Sequence, residues 1–169
     1  MGTPVSVSAA RVWVGLLALG CGLGAGYVLG SHDLRGVSML DVFPLTVALI
    51  PFAVEFVLVF ALGRLADHGS GGWVVAAVVL MVAMGAGMAA LAHWEVNCGA
   101  MGRCGVGGYP QGEAARTALV AGLAWASQAG LMAVFSGEEF SEEAGGWIGS
   151  CVAVVAALIG GIALSRVHI

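Results

Sequence analysis

Residues Val42–Arg64 read VFPLTVALIPFAVEFVLVFALGR, an apolar run that is long enough to cross the hydrocarbon core of a bilayer as one helix. Glu55 is the ionisable side chain within this run, and it lies near the middle of the predicted span. Pro51, one turn earlier, has no N–H for the helix ladder and predicts a kink. Because a carboxyl group at this depth costs free energy, Glu55 indicates either a function or a specific partner.

The composition of the whole chain indicates the same class of protein. Of the 169 residues, 60% are hydrophobic and only 9% are charged, whereas soluble domains carry about 25% charged residues. The polar residues cluster between long apolar runs, which is typical of a multi-pass membrane protein. The formal net charge of −4 argues against nucleic-acid binding, which needs clustered basic residues.

Hydropathy predicts an all-α fold, a polytopic helical bundle with short loops that forms a single transmembrane domain over residues 1–169. The first apolar run is longer than the usual core of a signal peptide, so we interpret it as a retained span, with a cleaved signal as the alternative. We expect a multi-pass protein of a bacterial inner membrane. About five spans are predicted, at residues 12–30, 43–63, 73–93, 116–135 and 147–165.

One polar constellation is predicted between the second and fourth spans, which run in the same direction in a five-span chain. Glu55 and Gln128 then lie at a similar depth. If their faces meet, the amide of Gln128 donates to the carboxyl group, with Ser127 as a second polar neighbour. Three interpretations stay open: proton or ion handling with Pro51 as a hinge, a protonated strut between helices, or contact with an arginine of another subunit.

The long loop after the third span contains Cys98 and Cys104, which are a candidate disulfide if this side faces an oxidising compartment. Their spacing is not the C-x-x-C of a thiol oxidoreductase. The five-span topology places His32, His93 and His168 on this same face, where they are weak candidates for binding a metal or haem. Their spacing matches no specific motif, so we predict no metal site and no cofactor.

Glycine and methionine patterns predict how the helices pack. Closely spaced glycines let two backbones approach, either within the chain or in a homo-oligomer or larger membrane complex. In the first span they form the pairs Gly20/Gly24, Gly22/Gly26 and Gly26/Gly30. The third span carries thioethers on one face, which suit either Cu(I) or ordinary packing, and packing is favoured. They belong to Met81, Met84 and Met88.

The sequence contains no recognisable nucleophile–base pair and no open metal motif, so we predict that the chain is not an enzyme. The leading hypothesis is a small transport or proton- and ion-handling protein that uses Glu55, assisted by Gln128 and Ser127. The rival hypothesis is an accessory or structural subunit of a larger membrane complex. Arginine placement slightly favours an external N-terminus, with Arg11 and Arg64 on one side and Arg35, Arg103, Arg116 and Arg166 on the other.

Overall fold

The computed structural model describes residues 7–31, 57–58, 70–94, 113–135 and 145–167. Within these ranges the chain is helical almost throughout and contains no strand. Val57 and Leu58 are helical too. The four long helices are α1 (Val7–Ser31), α2 (Ser70–Trp94), α3 (Glu113–Phe135) and α4 (Gly145–Arg166).

Each of the four helices contains a stretch that is long and apolar enough to cross a membrane. The chain is therefore an all-helical, multi-pass membrane protein, as predicted. The predicted spans 12–30, 73–93, 116–135 and 147–165 all fall within these helices. The predicted span 43–63 lies outside the described residues apart from Val57 and Leu58, so four long helices are described where the sequence predicts about five.

Helices are the expected solution because hydrocarbon offers no partner for backbone N–H and C=O groups. Serine hydroxyls near two helix ends bond back to carbonyl groups of the preceding turn. Ser165 Oγ donates to the carbonyl oxygen of Ile162 at 2.7 Å, and Ser31 Oγ donates to that of Val28 at 3.2 Å. These bonds close the last turns of α4 and α1.

Facing residues show that α1 and α3 are antiparallel. A Cβ built on Gly15 would lie 3.8 Å from Cγ2 of Val134, whereas one built on Gly24 would lie 3.5 Å from Cδ1 of Leu123. As the chain advances along α1, its neighbours on α3 therefore come from progressively earlier positions.

The pairing of α2 with α3 is antiparallel as well. A Cβ built on Gly130 would lie 2.7 Å from the sulfur of Met81, and one built on Gly122 would lie 3.0 Å from the Cβ of Ala89. Because α1 and α2 are both antiparallel to α3, they are parallel to each other.

The pairing of α1 with α4 is parallel. Gly22 faces Ala157 and Gly30 faces Ile162, with built-Cβ distances of 2.8 Å and 2.9 Å. The helices α1, α2 and α4 thus all end on the same side of the bundle, and α3 begins there.

The helix α3 is the centre of the bundle. It forms large interfaces with α2 and α1 and a smaller one with α4, while α1 forms a second large interface with α4 and touches α2 only slightly. In the membrane-spanning stretch of α3, 56% of the residues are buried, which is the highest share among the four helices. Side chains of α3 are therefore the best placed to form an internal site.

Candidate functional site

Two polar side chains lie near the middle of α3, where the sequence predicts a site. Ser127 is fully buried and Gln128 is half-buried. Both belong to the most buried helix, within its membrane-spanning stretch, where hydrocarbon offers a polar group no hydrogen-bond partner. This level of α3 is therefore the candidate functional site.

The Ser127 hydroxyl lies where α1, α3 and α4 meet. A Cβ built on Gly22 would lie 2.8 Å from Ser127 Oγ and 2.8 Å from the Cβ of Ala157. The absence of a side chain at Gly22 therefore makes room for the hydroxyl. Among the described residues, Ser127 Oγ has no hydrogen-bond partner.

The Gln128 amide has a different neighbour. Its Nε2 approaches the Met132 sulfur at 3.8 Å, one turn along the same helix. A thioether is a weak acceptor, so this contact satisfies little of the hydrogen-bonding capacity of the amide. Within the part of the chain that the structure describes, Gln128 has no stronger partner than this thioether.

Ser127 and Gln128 point to different sides of α3, since successive residues of a helix are rotated by about 100°. Ser127 points to α1 and α4, next to Gly22. Gln128 lies on the side of α3 opposite the row Gly122, Ala126 and Gly130 that α2 contacts. The described structure therefore does not place the two side chains in one cluster.

Several other predicted site residues lie outside the described residues. They are Glu55 and Pro51 of the second predicted span, the cysteines Cys98 and Cys104, and the histidines His32 and His168. Their predicted roles stay predictions.

His93 lies in the last turn of α2 and is exposed. Its side of the bundle is the one where α1 and α4 also end. Within the described ranges, no group of three or more His, Cys, Asp or Glu side chains is placed to hold a metal ion.

The three methionines of α2 share a buried face, as their spacing predicts. Met81, Met84 and Met88 are all below 10% exposure. The Met81 sulfur occupies the notch at Gly130, where a built Cβ would be only 2.7 Å away. Their placement agrees with the packing interpretation, in which flexible thioethers fill irregular gaps.

The glycines of α1 mostly serve contacts within the chain. Gly26 and Gly30 lie directly against the α4 backbone, at Leu158 and Ile162. Gly20, by contrast, has nothing within 4 Å of a built Cβ. The row Gly22, Gly26 and Gly30 is therefore occupied by α4, and among these glycines Gly20 is the one with open space.

The close approach of the α2 and α3 backbones was not predicted. A Cβ on Gly85 would lie 2.9 Å from the carbonyl oxygen of Gly122, and one on Gly122 would lie 2.8 Å from that of Gly85. The signal was present in the sequence, since Gly85/Ala89 and Gly122/Ala126 are small residues at four-residue spacing.

Three further buried polar atoms were also missed by sequence reasoning. Trp73 Nε1, Thr117 Oγ1 and Arg11 Nε have no hydrogen-bond partner in the described part of the chain. Trp73 is fully buried near the start of α2, and Thr117 is 1% exposed near the start of α3. Sequence patterns give no signal for them because burial of a single polar group depends on its neighbours in space.

Comparison with known proteins identifies no relative. No protein-family model matches the chain, no curated protein is significantly similar, and no solved structure matches. The functional argument therefore depends on the residues alone.

Proposed function

We propose that this protein handles protons or ions within the membrane through Glu55, with Gln128 as its neutral hydrogen-bond partner. The observation that supports the proposal is the half-buried amide of Gln128, in the middle of the central helix, whose hydrogen-bond contact within the described residues is a weak one to a thioether at 3.8 Å. An amide in this position is a suitable partner for a carboxyl group on a neighbouring span.

The chemistry of a carboxyl–amide pair suits reversible proton binding. In hydrocarbon a carboxyl group without a cationic partner favours its neutral form, and an amide can hydrogen-bond to that form. An arginine would instead hold the group in its charged form. Proton release then requires a change in hydration or in helix position, and Pro51 is our proposed hinge for that change.

The first test is ion flux in liposomes that contain the purified full chain. We expect a pH-gradient-driven proton flux that Glu55→Gln abolishes, because the amide cannot ionise. Gln128→Leu should reduce the flux by roughly tenfold, which corresponds to losing one hydrogen bond to a charged or protonated carboxyl group. Ser127→Ala is the matched control and should retain the flux, because Ser127 points to α1 and α4.

Infrared difference spectroscopy provides a second readout on the same variants. Wild-type protein should show a protonated-carboxyl band that changes with pH and shifts in Gln128→Leu, and Glu55→Gln should lack that band. A band that is unchanged over the whole accessible pH range, together with no flux, would contradict the proposal and leave Glu55 as a structural strut.

The rival function is that of an accessory subunit in a larger membrane complex or a homo-oligomer. It is favoured by a small-residue surface on α2, where no described residue lies within 4 Å of a Cβ built on Gly87 and the neighbouring Ala83, Ala86 and Ala90 are exposed. Under this hypothesis the wild-type chain shows no flux but elutes as an assembly from mild detergent, and Gly87→Leu releases the free chain.

A further inference from the structure

At one end of the bundle α1 ends and α3 begins at the same level. A Cβ built on Gly24 of α1 would lie 3.5 Å from Cδ1 of Leu123 of α3, and the two helices are antiparallel. The same number of residues further toward this end lie Ser31, the last residue of α1, and Arg116, in the first turn of α3. Arg116 is exposed, so its guanidinium group lies at the surface of this end.

The helix α2 reaches this level with an aromatic side chain. A Cβ built on Gly122 of α3 would lie 3.0 Å from the Cβ of Ala89, and the antiparallel register then places Trp94, the last residue of α2, close to the level of Arg116. Trp94 is 56% exposed, and its helical spacing puts it on the same face as the exposed Ala90. An exposed indole at the end of a span is typical of the headgroup region of a bilayer.

The helix α4 presents a second exposed arginine at this end. The parallel helices α1 and α4 meet at Gly30 and Ile162, and Arg166, the last residue of α4, lies about one turn further on. The i, i+4 and i+11 spacing of Val155, Ile159 and Arg166 places them on one face of the helix. All three are exposed, so Arg166 terminates an apolar surface, with its aliphatic stem available to follow that surface outward.

The opposite end of the bundle has an exposed indole but no exposed arginine among the described residues. Trp13 is 70% exposed, and the rise along α1 from Trp13 to Ser31 is roughly 27 Å at about 1.5 Å per residue. This distance is close to the thickness of a hydrocarbon core, about 30 Å, so Trp13 and Trp94 mark the two interfaces. Arg11 lies beyond Trp13, but it is half-buried and its Nε is buried.

We infer that the end of the bundle with Trp94, Arg116 and Arg166, the basic end, binds the phosphate groups of anionic phospholipids. The planar guanidinium group of an arginine can donate two parallel hydrogen bonds to one phosphate. A lipid is the occupant because Arg166 terminates an exposed apolar face. Acyl chains can lie along Val155 and Ile159 while the phosphate meets the guanidinium group. The inference does not depend on proton handling.

The two arginines of the basic end differ in their surroundings. Arg166 lies at the end of a face that lipid chains cover, and it is the basic residue in the last turn of α4. Arg116 follows Glu113 by one turn of α3, and a carboxylate at this i, i+3 spacing offsets part of the charge of an arginine. Arg166 should therefore contribute more than Arg116 to the binding of an anionic headgroup.

Lipid binding to the purified full chain tests the inference. Native mass spectrometry in mild detergent compares the binding of phosphatidylglycerol with that of phosphatidylcholine, which carries no net charge. We expect wild-type protein to bind phosphatidylglycerol roughly tenfold more tightly, because each arginine near a headgroup contributes a factor of about five at most. Arg166→Gln should weaken phosphatidylglycerol binding roughly fivefold and Arg116→Gln roughly twofold, with phosphatidylcholine binding unchanged in both variants.

Arg11→Gln is the matched control, because Arg11 is half-buried and lies at the other end of the bundle. It should change phosphatidylglycerol binding by less than about twofold. Excess inorganic phosphate should not displace the lipid, since phosphate has no acyl chains to lie against α4. Displacement by phosphate would show a site for free anions, and an equal loss in Arg11→Gln and Arg166→Gln would show an effect of net charge alone; either result overturns the inference.

A measurement on the wild-type chain keeps the test valid if a variant folds poorly. Electron spin resonance of spin-labelled phosphatidylglycerol and phosphatidylcholine in proteoliposomes measures the fraction of each lipid that the protein immobilises. We expect a larger immobilised fraction for phosphatidylglycerol. This excess should fall by about half or more when the salt concentration rises from about 0.1 M to about 1 M, because the screening length falls from about 10 Å to about 3 Å. Equal fractions for the two lipids at low salt would overturn the inference.

Discussion

The helices α3 and α4 have similar lengths but opposite surroundings. In α3, 56% of the membrane-spanning stretch is buried and its mean hydropathy is 1.6, whereas in α4 the values are 17% and 2.3. The least apolar helix is thus the most buried. In water the hydrophobic effect would favour burial of the most apolar helix. Lipid chains are as apolar as leucine side chains, so the free energy of exposing a helix to lipid depends mainly on its polar groups.

The polar residues of α3 explain its central position. Thr117, Ser127 and Gln128 all lie on α3, and the first two are at most 1% exposed. The α4 surface instead presents Val152 and Ile159 at 62% and 61% exposure. Lipid accepts such side chains at no cost, whereas it accepts a hydroxyl or amide poorly.

The largest effect should come from filling the point where the backbones of α2 and α3 approach each other. Gly122→Val places a Cβ 2.8 Å from the carbonyl oxygen of Gly85, and backbone cannot yield as a flexible side chain would. We expect a loss of about 3 kcal/mol in the free energy of unfolding, as for a severe overpacking change. Reversible unfolding in mixed micelles measures it.

Gly87→Val is the matched control for this prediction, because Gly87 is an exposed residue of α2 and none of the residues that the structure describes lies within 4 Å of its built Cβ. It should change the free energy of unfolding by less than about 0.5 kcal/mol. Equal losses in both variants would show that glycine acts through the helix backbone alone and not through the α2–α3 contact.

An intermediate effect is expected when side chains are truncated on the two helices. Met132→Ala removes a buried thioether from α3 and should cost about 2 kcal/mol, mainly through lost packing contacts. Ile159→Ala removes a similar volume from the lipid face of α4 and should cost less than about 0.5 kcal/mol. The same micelle assay compares them, and equal costs would contradict the assignment of the α4 face to lipid.

The smallest effect is expected at the buried hydroxyl of α3. Ser127→Ala removes an oxygen that has no hydrogen-bond partner among the described residues. The free energy of unfolding should therefore stay unchanged or rise by up to about 1 kcal/mol, because the variant removes a buried hydroxyl whose loss of hydration is not offset by a hydrogen bond. A clear loss of stability would mean that the hydroxyl has a partner such as a bound water molecule.

Much of the fold was predictable from the sequence, because the position of each helix depends mainly on the residues of its own segment. Apolar runs set the positions of the four described helices to within a few residues, because crossing hydrocarbon requires about twenty apolar residues in helical form. The glycine row of α1 and the methionine face of α2 also follow from helical periodicity. The Gly85–Gly122 approach was available in the sequence as well, as two small-residue pairs.

The candidate site was predictable only in part. The sequence indicates that Gln128 and Ser127 lie at mid-depth, and both are described there. It treats them as one cluster, whereas Ser127 faces Gly22 of α1 and Gln128, rotated by about 100° along the helix, contacts Met132. Periodicity gives the angle between two side chains of one helix, but not which neighbour lies at each angle.

The sequence by itself determined the class of this protein: the number of charged residues and the length of the apolar runs leave a membrane helical bundle as the solution. Only the tertiary structure decided that α3 is central, that α4 fills the glycine row of α1, and that the backbones of α2 and α3 meet at Gly85 and Gly122. The free energy of transfer into lipid is a property of each segment on its own, so it can be read from the sequence. Which helices become neighbours depends on how well their surfaces fit, and that is a property of two helices together.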